Sequence, residues 1–328
     1  MKKIIACVLM AVVLVHAGCK KEKDKPPKET VVYAAGVDNS GILSKAVYWR
    51  NGTKFTLPDN GLGSSANSVF VDAKGDVYIS GAARKSVGTS SVYIACYWKN
   101  GQRTDLDVPQ TGPSNAYDIY VENGVVYCSG NYRVSPVSTL TGCIWKNNTR
   151  SDMAGAGPDF GWSMVVSSGE TYVTDYRGYW KGTSKVQLSS GAAFSFDIFK
   201  AGADVIVAGR EDDVPCYWKN GAPTKLESVT GGFAYAIAGH KGDVYCVGET
   251  AADRGVVWKN TASSNVEIHP AGAATSACES ILFFEDKMYT GGYARIGGQM
   301  RSFIFSEGNY TLLPGEECIL GEIAVTKE

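Results

Sequence analysis

Short apolar runs of four to six residues recur along the chain, each bounded by glycine, asparagine or a charged turn. Almost no stretch repeats its apolar residues at the 3.6-residue period of a helix. The run DVYISG (76–81) has counterparts in VVYAAG (31–36), VVYCSG (125–130), DVIVAG (204–209), DVYCVG (243–248) and KMYTGG (287–292). Downstream of these stands a second recurring segment: AVYWRNG (46–52), ACYWKNG (95–101), GCIWKNN (142–148), RGYWKGT (177–183), PCYWKNG (215–221), GVVWKNT (255–261) and the degenerate SFIFSEGN (302–309). Aligned on Trp49, Trp98, Trp145, Trp180, Trp218, Trp258 and Phe305, the copies are separated by 49, 47, 35, 38, 40 and 47 residues. A period near forty is that of a four-stranded propeller blade rather than of a helical solenoid.

Within one unit, residues 66–106 divide into SVFVD, a tight turn, DVYISG, a long loop, VYIACYW, a KNG turn and a short polar strand ending at Leu106. The turns Ala73-Lys74-Gly75, Glu122-Asn123-Gly124 and His240-Lys241-Gly242 carry the residues that tight hairpins need for positive φ. The ordered chain opens on VVYAAG, a second strand without a first. It closes on CILGEIAVTKE (318–328), a first strand without the other three. The two fragments make one blade. The expectation is an all-β, seven-bladed propeller of four-stranded antiparallel blades over residues 31–328, closed by pairing of the C-terminal strand with the N-terminal blade, which removes exposed strand edges. In such a ring both faces of the third strand are buried, Tyr97 toward one neighbouring blade and Trp98 toward the other. The repeated indoles are therefore read as core wedges, with ligand contact the lesser alternative.

The pattern VYxxG followed by YWKNG resembles the repeat of seven-bladed β-propeller lipoproteins of Gram-negative bacteria, a group mostly of unassigned function, and the resemblance covers residues 31–328. It implies a fold and a location and carries no catalytic residues. The N-terminus fits. Residues 1–19 combine a lysine pair, an apolar run and small residues before a cysteine, the pattern of a secretory signal. Ala17-Gly18-Cys19 resembles a lipobox, which implies lipidation at Cys19 and anchoring as an outer-membrane lipoprotein on the periplasmic or surface side. Residues 20–30, charged and containing two prolines, read as a solvated tether.

Charge narrows the partners. Residues 1–29 hold seven of the 32 basic residues and three of the 33 acidic ones, which leaves the remainder at −5, a poor match for nucleic acid. No polybasic helix invites direct membrane contact, so the lipid would be the only anchor, and a closed ring reads as a monomer. With Cys7 and Cys19 set aside, seven cysteines remain. Cys96, Cys143 and Cys216 share a repeat position elsewhere filled by Val47, Gly178, Val256 and Phe303, the pattern of a small buried hydrophobe, while Cys128 and Cys143 share a blade and stay open as a pair. There is no CxxC, no DxDxDG loop, and two histidines after the leader, so neither metal nor cofactor is expected.

Two sets of residues stand out as binding candidates on the face made by the long loops 83–92, 131–141, 210–215, 249–255 and 293–301. Arg84, Arg133 and Arg295 follow the repeat glycine by three residues, and Arg177, Arg210 and Arg254 lie nearby; they suit carboxylate or sulfate groups, or else pair with Glu211, Asp212, Asp213 and Asp253. At the start of the first strand, Tyr117, Trp162, Phe196 and Tyr235 follow a small residue in four consecutive blades, as Asn67 does in the blade before, and Asp118 and Asp197 come next in two of them. An aromatic arc beside hydrogen-bonding carboxylates suits a sugar, although the rings would also serve as wedges between blades. The leading expectation is a noncatalytic binding or scaffolding propeller for a glycan or an envelope protein. The alternative is a polysaccharide-acting hydrolase or lyase using Asp118 and Asp197 as paired carboxylates.

Overall fold

The computed structural model describes residues 28–109, 112–135, 138–153, 160–189, 191 and 193–328. The expected signal, Cys19 and all but the end of the tether lie outside them. The described residues form seven four-stranded antiparallel sheets and contain no helix, hence none long and apolar enough to cross a membrane. Blade 1 is the composite one, ordered Cys318–Lys327, Thr30–Asp38, Lys45–Arg50, Thr53–Thr56. The inner strands of blades 2 to 7 are Ser64–Val71, Ser114–Glu122, Met164–Ser167, Ala193–Ala201, Phe233–His240 and Ala273–Phe284.

Ring closure follows the expected pairing. Thr30 faces Lys327 at one end of the composite ladder and Asp38 faces Cys318 at the other. Beyond the strand, Glu29 and Glu328 exchange backbone hydrogen bonds, so pairing reaches slightly into the segment read as tether. Glu328 accepts from the Tyr33 hydroxyl at 2.6 Å and forms an ion pair with Arg50 at 2.5 Å.

The recurring YWKNG segment has three separable jobs. The indoles of Trp49, Trp98, Trp145, Trp218 and Trp258 are fully buried and Trp180 nearly so. Trp98 packs with Val31, Tyr33 and Leu57 of blade 1, whereas Tyr97 turns the other way, toward Ala116, Ile119 and Val121 of blade 3. One apolar cluster of this kind lies between every two neighbouring blades. In blade 7, Phe305 at the indole position is only half-buried. Phe303, two residues earlier, is fully buried there.

The asparagine makes the hairpin. Asn51, Asn100, Asn147 and Asn220 adopt φ of 46 to 51°, a conformation in which asparagine is among the few tolerated side chains. Their Oδ1 atoms accept from the backbone N–H of Val32, Val77, Val126 and Val205, clamping the turn to the start of the second strand. The lysine completes an ion pair with the aspartate that opens that strand: Lys99 with Asp76, Lys219 with Asp204 and Lys259 with Asp243, at 2.6 to 2.8 Å. These pairs are solvent-exposed and add little to stability.

The repeat glycine has a steric origin. In six blades the inner-strand ladder slips by one residue directly opposite it, at Asn67, Tyr117, Phe196, Tyr235, Glu279 and Gly321. The bulge drives a carbonyl oxygen onto the second strand. A Cβ on Gly36, Gly81, Gly130, Gly209, Gly248 or Gly292 would stand 1.8 to 2.3 Å from the oxygen of Ile319, Ser65, Asn115, Phe194, Phe233 or Ala277. Blade 4 is the exception that supports the rule. Asp175 occupies the glycine position, fully buried, and the chain ahead of Met164 does not pair with it as a strand. Its carboxylate instead accepts from Phe160 N–H and Trp180 Nε1, both at 3.1 Å, and pairs with Lys185 at 2.5 Å.

Three of the segments read from sequence as loops are strand extensions. Residues 83–92 form the tip of a hairpin, Val77–Val87 with Ser90–Lys99, turning at Gly88. Asp212-Asp213 and Gly297-Gly298 turn two more, all four residues at positive φ. In each the antiparallel ladder runs right up to the turn, pairing Val87 with Ser90, Glu211 with Val214 and Ile296 with Gln299. The remaining two match better: Glu249 faces Gly255 across a turn, and in 131–141 residues 136 and 137 lie outside the described residues. The seven cysteines are free and buried. Cys128 faces Trp145 and Cys143 faces Gly130, so the two thiols are not opposite each other, and burial holds both well above their ordinary pKa.

Two substitutions test this account by urea denaturation. Trp98→Ala, which empties a fully buried wedge, is expected to lower stability by about 3–5 kcal/mol. Gly130→Val forces a Cβ onto the Asn115 carbonyl and is expected to cost about 3 kcal/mol, whereas an unchanged midpoint would show that the bulge relaxes freely.

Candidate functional site

Because each inner strand runs the same way, its bulge lies near the same end of the ring, and the slipped residue turns its side chain into the central channel. The bulge residues Asn67, Tyr117, Phe196, Tyr235, Glu279 and Gly321, together with Trp162 of the unbulged blade 4, line a cavity of about 260 Å³. Asp118, Ser163, Asp197, Ala236, Ser280 and Glu322, each the next residue along, line it too. All six inner-strand candidates expected from sequence, Tyr117, Trp162, Phe196, Tyr235, Asp118 and Asp197, thus meet in one place.

The aromatics touch in series. Trp162 and Phe196 have ring centroids 5.4 Å apart, and Phe196 and Tyr235 5.5 Å. Phe160 stacks behind Trp162 at 4.5 Å and Phe233 behind Tyr235 at 5.3 Å, which gives the arc a second aromatic layer and fixes its ring planes. Tyr235 also donates its hydroxyl to Glu249 at 2.8 Å.

The aspartates hold neighbouring blades together. Asp118 Oδ1 accepts from Ser68 of blade 2 and from Ile119 N–H, at 2.8 and 2.6 Å, and Oδ2 accepts from Met164 N–H of blade 4 at 2.7 Å. Asp197 repeats this two blades on, with Ser163 at 2.5 Å, Ile198 N–H at 2.7 Å and Ile237 N–H at 2.8 Å. Each bridges three blades and satisfies backbone donors that have no partner within their own sheet. Ser280 accepts from Ile323 N–H at 3.3 Å in the same manner, and Glu322 is bonded to Ser68 and to Val69 N–H. Around the ring the position after the bulge therefore reads Glu322, Ser68, Asp118, Ser163, Asp197, Ala236, Ser280.

Four carboxyls consequently face one confined channel. Each shows part of its surface there, but the surrounding protein displaces most of its hydration, and desolvation disfavours the charged form. Burial raises Asp118 to about 6 against the opposing hydrogen bonds from Ser68, Met164 and Ile119. Asp197 is raised for the same reason. Glu279 is raised to about 8 by burial and then by the nearby Glu249, and Glu322 is raised well above its ordinary value by burial and then by Asp118.

The sequence pattern missed Glu279 and Glu322. A small residue precedes the bulge in the other blades, but Cys278 and Leu320 take that place here, so the periodic signal that marks Tyr117 is absent. None of Arg84, Arg133, Arg177 or Arg295 lines the cavity. Arg84 lies 4.8 Å over the Tyr93 ring, Arg177 lies 5.0 Å over Tyr176, and Arg295 donates to Gly298 O at 2.9 Å. Arg133 bonds through its backbone N–H to Pro113 O. Arg210 lies over Phe233 at 4.2 Å and pairs with Asp213, while Arg254 pairs with Glu267. Among the described residues no cluster of three or more histidine, cysteine, aspartate or glutamate side chains is arranged to hold a metal.

No protein-family model matches the chain, and no curated protein matches it. Among solved structures, a quinonprotein alcohol dehydrogenase-like protein from Bacteroides thetaiotaomicron is similar at 10% identity and a TM-score of 0.52, over 88% of this chain and 77% of that one. The extracellular domain of a one-component system from B. thetaiotaomicron is similar at 9% identity and a TM-score of 0.47, over 78% of this chain; the chain spans 38% of that protein's length. Identities this low speak to architecture alone.

The carboxyl ring predicts a pH dependence. A raised folded-state pKa means that the folded chain binds more protons than the unfolded one, so this contribution is complete below about pH 4 and is lost as pH rises through about 6 for Asp118 and about 8 for Glu279. Melting temperature is expected to fall by several degrees between pH 5 and 9, and Glu322→Gln is expected to flatten the fall. A melting temperature that climbs over this range would contradict the assignment.

Proposed function

We propose that the protein is a noncatalytic binding propeller of the cell envelope, anchored through lipidated Cys19, that takes a glycan at the mouth of its central channel. The observation that carries this reading is the arc of Trp162, Phe196 and Tyr235, backed by Phe160 and Phe233, which with Tyr117 lines a cavity of about 260 Å³. Sugar rings present apolar C–H faces that stack on such π-surfaces, while their hydroxyls need donors and acceptors in the plane of the ring. Ser163, Ser280, Asn67 and Glu279 supply these beside the arc.

A binding role is favoured over hydrolysis by the bonding of the two aspartates. Every oxygen of Asp118 and Asp197 already accepts from backbone N–H or serine, across blade boundaries, so neither is free to shuttle a proton without loosening the ring. The carboxyl with fewer such ties is Glu279, bonded to Tyr293. Turnover of a polysaccharide that Glu279→Gln abolishes would replace the binding reading with an enzymatic one. Arg84, Arg133, Arg177 and Arg295, outside the cavity, serve in this reading as outer contacts for acidic groups of a partner protein.

Screening the full chain against a glycan array and measuring the hits by calorimetry tests the proposal. Trp162→Ala and Tyr117→Ala are each expected to weaken binding by about 3- to 10-fold, the worth of one aromatic contact, with the melting temperature of Tyr117→Ala little changed. Sugar binding indifferent to both substitutions would place the ligand elsewhere.

A further inference from the structure

A second cavity, also about 260 Å³, lies beside the first, between blades 2 and 3. Tyr117 lines both, so its ring is a shared wall. The outer cavity is bounded by Ser65, Ala82, Tyr93, Pro113, Asn115 and Asn131, and no residue lining it carries a charge. Its polar chemistry is that of amides, hydroxyls and a phenol. Asn131 is 3% exposed and donates to Phe160 O at 3.3 Å, in the segment that backs Trp162, and Asn115 Oδ1 accepts from Asn67 Nδ2 at 2.9 Å. Through Asn67 and Phe160 the outer cavity is thus bonded to two residues that line or support the inner one. On the far side, Arg84 braces the Tyr93 ring at 4.8 Å.

We propose that the two cavities are consecutive subsites for a neutral oligosaccharide of at least two units, which runs from the channel mouth outward over Tyr117 into the groove between blades 2 and 3. The proposal rests on the glycan reading given above and adds chain length and charge to it. Two compartments of equal size on either side of one tyrosine match a polymer of like units better than a single small molecule. An uncharged outer compartment lined by amides and hydroxyls can meet the hydroxyls of a neutral unit but offers no counter-ion to a uronate or sulfate, whose burial unpaired is costly.

Calorimetry of the full chain decides it, using glucose, xylose, mannose and galactose together with the β-1,4-linked tetrasaccharide of each. At least one tetrasaccharide is expected to bind tenfold or more tightly than its own monosaccharide. Ser65→Trp, which fills the outer cavity, and Tyr93→Ser, which removes its wall, should each bring the tetrasaccharide down to the affinity of the monosaccharide while leaving monosaccharide binding unchanged. The pair guards against one variant failing to fold, which circular dichroism would report. Equal affinities for the short and long sugars would overturn the two-subsite arrangement and leave the central site standing, as would a length preference that survives both substitutions. Absence of binding by all eight sugars would remove both readings.

Discussion

The architecture depends on the contact between a second-strand glycine and the inner strand beside it. Only a residue without a Cβ lets the bulged carbonyl approach as it does at Gly81, Gly130, Gly209, Gly248 and Gly292. The bulge that this permits rotates one inner-strand side chain into the channel, beside the open edge of that strand, whose N–H groups the next residue along reaches across blades to bond. Channel lining and inter-blade bonding thus fall on adjacent residues. Blade 4 shows the other solution. With Asp175 in place of glycine there is no bulge, and the carboxylate takes over the bonds of the chain leading to Trp162.

Much of this was legible in the chain itself. Indoles spaced at a blade's length, asparagine turns after five of the six, and the complementary fragments at the two ends state a closed ring, because each rests on local rules: burial of a large apolar side chain, positive φ, and the pairing of open edges. The bulges were not legible. A ladder slip leaves no mark in an alternating pattern, and the glycine that betrays it also reads as a loop residue. Hence Tyr117 and Trp162 stand out as aromatics after a small residue at the start of a strand, whereas Glu279 follows Cys278 and Glu322 lies one place past the slip at Gly321, so neither carries that mark. Hairpins such as Val77–Val87 with Ser90–Lys99 have the sequence of a loop because their tips are polar.

Within the channel the structure trades electrostatic comfort for cohesion. Placing Asp118, Asp197 and Glu322 around one narrow space is costly for their charged forms, yet each joins its own blade to a neighbour by accepting donors that would otherwise go unmet. The aromatic arc occupies the adjoining turn of the same strands, so binding surface and inter-blade cement sit one residue apart.

The composite blade also gives the molecule a direction. Its N-terminal strand enters at Thr30 alongside Lys327, which is the end of the innermost strand remote from Gly321 and Glu322. Lys28 and Glu328, the two ends of the described chain, therefore meet on the face of the ring opposite the aromatic opening, which leaves the channel mouth unencumbered by either of them, like an upturned bowl standing on its own seam.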